Sequence, residues 1–170
     1  MILRRKVTWL MVIGGILIFG MYLTPYRLTL VYGQSMTPTI RSGQILVVDR
    51  HYYDTHSPHR GDIVLFRHED EVYIKRIHAL AGDEVIQLQS PDTPDVIVNP
   101  GVLDRVYHSI LGRQKGARIL RIQLEKDDVY MLGDGDMLSR DSRDFGPVPR
   151  QAIIGKIVPL FAEPMSIAKQ

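Results

Sequence analysis

The chain has 170 residues, with 21 lysines and arginines against 19 aspartates and glutamates, for a formal net charge of +2. That balance argues against a nucleic-acid-binding protein, and a composition of 45% hydrophobic and 24% charged residues is that of a folded, globular chain. Because the chain contains no cysteine, disulfides, thiolate metal sites and thiol nucleophiles are excluded.

The first predicted element is an uncharged, apolar segment from Val7 to Leu23. Its length lies at the short end of the range, about 17 to 25 residues, that crosses a bilayer as one helix. Trp9 and Tyr22 lie near its two ends, as aromatic residues do at membrane interfaces, and a basic run at 4–6 precedes it. The pattern therefore predicts a transmembrane helix with a cytoplasmic N-terminus.

A cleaved signal peptide is the alternative interpretation of this segment. Such a peptide has a shorter apolar core followed by a small-residue cleavage site, whereas no alanine occurs before Ala79. We therefore expect residues 1–25 to form a cytoplasmic N-terminus and a retained transmembrane anchor. Residues 26–170 would then form a domain on the opposite side of the membrane.

From residue 26 onward, short β-branched runs bounded by turn residues replace the apolar segment. No apolar stripe of helical period runs for ten or more residues in this part of the chain, so we predict a mainly β fold, an antiparallel β-sheet domain. Residues 90–116, rich in proline and glycine, are predicted to form a loop-rich excursion or a β-ribbon. The predicted strands are Leu28–Tyr32, Gln44–Val48, Asp62–Phe66, Glu71–Leu80, Glu84–Leu88, Asp95–Val98, Ala117–Leu124, Asp128–Leu132 and Ile153–Val158.

A polar turn follows the first predicted strand, with the sequence Gly33-Gln34-Ser35-Met36-Thr37-Pro38-Thr39. Pro38 fixes its own backbone torsion, which makes a structural turn the plain interpretation. As a nucleophile, Ser35 would need an activating base. The second glycine of a nucleophile elbow is missing, and Pro38 occupies the lysine position of a Ser-x-x-Lys pair. A Ser-His-Asp triad with one of the six histidines stays open.

Lys75 is the stronger candidate for that base. The predicted strand over 71–80 turns successive side chains to opposite faces, and Lys75 shares one face with apolar neighbours. Such neighbours would desolvate the amine and lower its pKa, as a lysine needs in order to act as a general base. The alternative is a lysine at a strand edge with its ammonium group in water. The residues that share its face are Tyr73, Ile77 and Ala79.

A loop rich in glycine and charge, residues 133–149, follows the strand that ends at Leu132. Its Ser139, Asp141 and Arg143 stand two residues apart and can hold neighbouring polar groups in place. The Asp-x-Asp-x-Asp-Gly spacing of a calcium loop is missing. A second metal-site hypothesis lacks a diagnostic ligand spacing, so no metal is expected; its residues are Asp49, His51, Asp54, His56 and His59.

Four separated stretches, taken in order after the anchor, resemble the type I signal peptidases, which are membrane-anchored Ser-Lys endopeptidases. The resemblance extends from the anchor to about residue 158. It implies a mostly β domain of antiparallel sheets packed on the membrane surface. The matching stretches are Ser35–Thr39, Gly61–Phe66, Tyr73–Ile77 with Gly82-Asp83, and Gly133-Asp134 with Ser139–Arg143 and Gly146.

The resemblance also implies a role for each matching residue. Ser35 matches the family's nucleophile and Lys75 its general base. Ser139 matches the hydroxyl that orients the lysine, while Asp141 and Arg143 match a supporting ion pair.

Further matches concern the supporting loop and the substrate pocket. Gly133 belongs to the supporting loop, and three residues match those near the small side chain that precedes the cleavage site: Met36, Tyr73 and Ile74. The resemblance implies no metal or organic cofactor. The expected partners are precursor proteins that carry signal peptides and the lipid bilayer, with no nucleic acid.

The chain departs from the family pattern at three places, two of which concern the site. Gly135-Asp136 stands where the family commonly has Asn-Arg. Gly33 stands where some members have a serine whose hydroxyl helps to bind the oxyanion, so backbone N–H groups, chiefly that of Ser35, would carry this role.

The resulting expectation is a signal peptidase I in the plasma (inner) membrane. Its single anchor would leave the catalytic domain extracytoplasmic. Because Asp144–Val148 and the small size also resemble mitochondrial inner-membrane peptidases and conjugative pilin-processing peptidases, a specialised relative with few substrates is one alternative. A membrane-anchored β module that binds peptides without cutting them is the other.

Overall fold

The computed structural model describes residues 2–89, 95–113, 116–135 and 139–158. Among these residues, no helix combines the length and the apolar content that crossing a membrane requires, so the transmembrane anchor stays a prediction. The elements are α1 (Ile2–Leu23), β1 (Tyr26–Leu30), β2 (Ile45–Asp49), α2 (Tyr52–Thr55), β3 (Ile63–His68), β4 (Glu71–Leu80), β5 (Glu84–Gln89), β6 (Asp95–Val98), α3 (Val102–Leu111), β7 (Arg118–Gln123), β8 (Asp128–Leu132), α4 (Ser142–Phe145), β9 (Val148–Pro149), a 3-10 turn (Arg150–Ala152) and β10 (Ile153–Val158).

Within the described part of the chain, the strands form two sheets. Seven strands make the larger sheet, in the order β1-β2-β10-β3-β4-β8-β9, and three make the smaller one, in the order β6-β5-β7. Every strand pairing in both sheets is antiparallel. The prediction of a mainly antiparallel β domain is therefore confirmed.

Strand β4 alternates between faces as its sequence predicts. Lys75, Ile77 and Ala79 are buried, whereas the residues between them are half-exposed. Ile77 packs in the main core of the larger sheet, whose other buried members are Val64, Phe66, Val129, Met131 and Val148. The period-two pattern thus sends Lys75 to the same side of the strand as the core.

The register between β4 and β8 brings a distant loop next to Lys75. Leu132, the last residue of β8, pairs with Arg76. The chain therefore leaves the sheet at Gly133 beside the residue that follows Lys75. This register decides which loop forms the surroundings of the lysine.

Helix α3 corrects the prediction for residues 90–116. The sequence indicated a loop-rich excursion or β-ribbon and no ten-residue helix, but β6 is followed by the ten-residue helix α3; residues 90–94 and 114–115 lie outside the described residues. Although the segment is rich in proline and glycine, its apolar residues at 102, 103, 106, 107 and 110 have the spacing of one helix face. The Asp104 carboxylate caps this helix by accepting from the backbone N–H of Gly101 at 2.9 Å.

Candidate active site

Ser35 lies in a tight loop between β1 and β2. The loop turns at Gly33, whose φ of +93° lies in the left-handed region that favours glycine. Backbone hydrogen bonds from Thr37 to Gln34 (3.0 Å) and from Ile40 to Met36 (2.8 Å) close the loop. A small apolar cluster of Val31, Met36 and Ile40 packs beneath it. The loop is therefore held on both sides of the serine.

The Nζ of Lys75 lies 2.6 Å from the Oγ of Ser35, within hydrogen-bond distance. The lysine is only 2% exposed. Burial lowers the pKa of Lys75 below its ordinary 10.5, and the negative charge of Asp141 opposes this shift while the positive charge of Arg143 reinforces it. A buried amine with a lowered pKa, in contact with a serine hydroxyl, can accept the proton of that hydroxyl.

Asp141 is the centre of the loop that follows β8. Its fully buried carboxylate accepts from the backbone N–H of Gly133 (2.9 Å), the Oγ of Ser139 (2.6 Å), and the Nε (2.9 Å) and Nη2 (2.8 Å) of Arg143. Burial alone would raise the pKa of this carboxyl, but the hydrogen bonds from Arg143, Gly133 and Ser139 hold it below 3.8. Asp141 is thus a stable anion that fixes the loop.

Ser139 makes a different contact from the one that the resemblance implies. Its hydroxyl donates to Asp141, and within the described part of the chain no hydrogen bond joins it to Lys75. The link between Ser139 and the lysine is indirect, through the charge of Asp141.

The same loop contacts the loop that carries Ser35 through its backbone. The N–H of Gly135 donates to the carbonyl oxygen of Ser35 at 3.0 Å. A Cβ at Gly135 would lie 2.9 Å from the carbonyl oxygen of Gln34, and one at Gly133 would overlap both the Ser35 carbonyl oxygen and the Ser139 hydroxyl. Glycine at both positions therefore permits this approach. Asp136, the other departure from the family pattern, lies outside the described residues.

A second ion pair, which sequence reasoning missed, fixes the start of this loop. Arg76 donates from Nε to Oδ1 (2.9 Å) and from Nη2 to Oδ2 (2.6 Å) of Asp134. Burial would raise the pKa of Asp134, but the hydrogen bonds from Arg76 and Thr39 lower it. The signal that could have identified this pair is the position of Arg76 directly after Lys75. Arg76 pairs with Leu132, which lies two residues before Asp134.

A cavity of about 280 Å³ opens beside Ser35 and Lys75. All three predicted pocket residues, Met36, Tyr73 and Ile74, line it. Its walls are the stretch from Thr29 to Gly33 and the stretch from Val72 to Lys75. It is thus a cleft between two extended segments, with the serine at one end.

Both walls carry free strand edges. Strand β1 is the terminal strand of the larger sheet. Strand β8 pairs with β4 only from Arg76 to Leu80, so the first half of β4 has β3 as its single partner among the described residues. Unpaired edges of this kind can hydrogen-bond the backbone of an extended peptide.

The remaining candidates do not assemble into a site. Among the described residues no histidine is hydrogen-bonded to Ser35, and no group of three acidic or histidine side chains is placed to hold a metal ion. His51 and Asp54 form an exposed pair at 2.7 Å. This leaves Lys75 as the base candidate in contact with the serine.

Comparison with known proteins gives a family match over most of the chain. Residues 4–161 match the family described as signal peptidase, peptidase S26. A probable signal peptidase I-2 of Synechocystis is 30% identical over 162 residues, covering 88% of this chain and 71% of that protein. The signal peptidase I of Bacillus caldolyticus is 33% identical over 140 residues, covering 75% of this chain and 74% of that protein. A mitochondrial ATP-independent inner membrane protease subunit 1b of Arabidopsis thaliana is 31% identical over 131 residues, covering 75% and 64%.

Proposed function

The chain belongs to the signal peptidase family, peptidase S26, and we propose that it removes N-terminal signal peptides from exported precursor proteins with a Ser35–Lys75 dyad. Family membership favours a peptidase over the non-catalytic binding module considered from the sequence. The observation that carries the dyad is the 2.6 Å contact between the Lys75 amine and the Ser35 hydroxyl in a buried setting.

The reaction begins with neutral Lys75, which takes the proton of Ser35 as the Oγ attacks the scissile carbonyl carbon. The tetrahedral intermediate collapses when Lys75 passes this proton to the leaving amine. Water, deprotonated by the same amine, then hydrolyses the ester between Ser35 and the signal peptide and regenerates the free serine. In every step the Lys75 amine is the group that carries the proton.

Burial of Lys75 is what makes this chemistry feasible at neutral pH. An ordinary lysine, with a pKa of about 10.4, is neutral in only about one molecule in 2,500 at pH 7. A lysine that is already neutral at pH 7 would lower the activation barrier by about 4–5 kcal/mol relative to an ordinary lysine. The desolvation that lowers the pKa of Lys75 acts in this direction.

Backbone donors would stabilise the oxyanion. Gly33 has no side chain to offer, and the N–H of Ser35 donates to no acceptor among the described residues. That N–H is available to the oxyanion of the intermediate.

The precursor would bind as an extended strand in the cleft between residues 29–33 and 72–75. Main-chain hydrogen bonds to the two free edges would position it, and the wall at Met36 and Tyr73 would favour a small side chain next to the scissile bond. This geometry supports cleavage after alanine-like residues.

We propose further that α1 anchors the enzyme, with residues 1–25 as N-terminus and anchor and residues 26–170 as the extracytoplasmic domain. Trp9, Leu10, Met11 and Ile16 on this helix are between 65% and 73% exposed. Apolar surface of this extent is better accommodated by lipid than by water. The plasma membrane is the proposed location.

A serine-directed acylating probe tests the proposal. It should label Ser35 in the full chain at neutral and alkaline pH, lose the label as Lys75 becomes protonated, and label neither Ser35→Ala nor Lys75→Met. Tyr26→Phe, on an exposed strand outside the site, serves as the control. Equal labelling of Lys75→Met would refute the dyad.

A specialised peptidase with few substrates is the second candidate. The observation that favours it is the 31% identity to the mitochondrial inner membrane protease subunit. A panel of unrelated precursors separates the two candidates, because the general enzyme should cleave most of the panel.

A further inference from the structure

Helix α3 packs on the smaller sheet through its polar side. His108 is the buried residue of this helix, 1% exposed, with its Nε2 3.3 Å from the Oδ2 of Asp95 on β6. Arg105 donates from Nη1 to the Oε1 of Glu84 on β5 at 2.9 Å. A helix in a water-soluble fold ordinarily packs through its apolar side. The packing of α3 is therefore inverted.

The apolar side of α3 points outward. Five large hydrophobic side chains, between 52% and 83% exposed, form one continuous face that we call the apolar stripe. Single exposed hydrophobic residues are common, but a contiguous face marks an interaction surface. The stripe consists of Val102, Leu103, Val106, Tyr107 and Ile110.

Arginines border the apolar stripe. A shallow depression joins Val102, Val106 and Ile110 to Arg113 and Arg121. These two exposed arginines form what we call the arginine rim, and neither side chain makes an ion pair or a hydrogen bond within the described ranges. Asp104, the acidic residue of α3, uses its carboxylate in the helix cap. The surface is thus apolar at its centre and positive at its border.

We propose that α3 lies in the headgroup region of an anionic bilayer. The apolar stripe enters the boundary between headgroups and acyl chains, and the arginine rim pairs with lipid phosphates. This combination of an apolar face with basic flanks is the chemistry of interfacial helices. The contact is separate from the cleavage reaction and from anchoring by α1.

A second copy of the chain fits this surface less well. A two-fold dimer sets the same patch against itself, so it would bring two arginine rims together. Like charges at close range oppose such a contact. An anionic surface instead neutralises the rim.

The absence of cysteine permits a site-specific test in the full chain. Leu103→Cys on the apolar stripe carries an environment-sensitive fluorophore, and Ile110→Cys provides a second position. Lys126→Cys, in the exposed turn between β7 and β8, is the control. Each labelled protein is reconstituted into vesicles of phosphatidylcholine alone or of equimolar phosphatidylcholine and phosphatidylglycerol, with a nitroxide quencher at headgroup depth. Precursor cleavage and circular dichroism verify that each variant is folded.

We expect strong quenching at Leu103 and Ile110 in the phosphatidylglycerol vesicles and little at Lys126. The ratio of docked to undocked helix should fall by about fivefold for each arginine that no longer pairs with lipid. We expect this fall in vesicles of phosphatidylcholine alone and in the double variant that carries Arg113→Glu and Arg121→Glu. Equal quenching at all three positions, or quenching indifferent to lipid charge, would overturn the proposal. Energy transfer between labels on two chains without lipid quenching would also overturn it, in favour of a dimer.

Discussion

The amine of Lys75 meets the hydroxyl of Ser35 at 2.6 Å across 40 residues of sequence. The lysine comes from the buried face of β4, whereas the serine comes from a loop that follows the edge strand β1. A contact between a cation-forming group and a hydroxyl in a buried setting is costly unless the amine is neutral. The burial of the lysine therefore favours the neutral amine that the proposed chemistry requires.

Lys75→Met should remove the proposed general base while filling the same apolar space. We expect kcat to fall by about 100- to 10,000-fold, the usual contribution of general base catalysis. Cleavage of a precursor with alanine before the scissile bond, in detergent micelles, measures the loss. Activity within tenfold of the parent protein, with circular dichroism unchanged, would contradict the assignment.

The rate should rise with pH through the lowered pKa of Lys75, because only the neutral amine accepts the proton. Arg143→Gln removes a positive charge that lowers this pKa, so it should move the acidic limb of the kcat/KM profile to higher pH. Part of the activity lost at neutral pH should then return on alkalinisation. A profile that keeps its acidic limb and only loses height would show that Arg143 acts through structure alone.

Burial of the lysine should make the free energy of unfolding increase as the pH rises into the alkaline range. Since the folded-state pKa of Lys75 lies below that of the unfolded chain, the cost of burying the cation is fully present below the folded pKa. It disappears as the pH rises toward the unfolded value of 10.5. Lys75→Met should therefore be at least as stable as the parent at neutral pH, with a difference that shrinks at alkaline pH. Urea unfolding at the two pH values measures this, and a variant that is less stable at neutral pH contradicts it.

Asp141→Ala should destabilise the fold. It removes the buried carboxylate that pairs with Arg143, whose own side chain is 23% exposed, and breaking a buried pair from one side costs about 3–5 kcal/mol. The exposed pair of His51 and Asp54 provides the control, since Asp54→Ala should cost no more than about 1 kcal/mol. Urea unfolding compares the two variants, and equal losses would show that the Asp141 network does not stabilise the domain.

Gly135→Asn restores the residue that the family commonly has, yet it should impair this chain. The new Cβ would press on the Gln34 carbonyl oxygen at 2.9 Å and displace the loop that carries Ser35. A displacement of about 1 Å at a reacting group can cost about 100-fold in kcat. Steady-state cleavage measures the effect, and Gly101→Ala, whose Cβ makes an ordinary contact with Asp104 at 3.4 Å, is the control. An unimpaired Gly135→Asn variant would show that the loop relaxes.

The elements that could be predicted from the sequence are those with local patterns. Alternation in β4 gave the buried face of Lys75 correctly because a strand's side-chain period depends only on its own backbone. The first strand was predicted at Leu28–Tyr32 but runs from Tyr26 to Leu30, since pairing with β2 begins with Tyr26 opposite Asp49. Its boundary is thus set by a partner strand.

The parts that could not be predicted depend on contacts between distant segments. The approach of Gly135 to Ser35 joins two loops 100 residues apart, and no local pattern in either loop encodes it. Ser139 was matched to a role beside the lysine by resemblance, whereas its hydroxyl donates to the Asp141 carboxylate at 2.6 Å. Local sequence identified the chemical groups, while the tertiary fold decided their partners.

The position of the supporting loop late in the chain has a consequence for biogenesis. Asp141, Arg143 and Gly135 are translated roughly one hundred residues after Ser35, so a nascent chain that ends before β8 has a serine and a lysine but lacks the segment that buries and fixes them. The proposed dyad is therefore enclosed only after the segment from β8 onward has folded against β4.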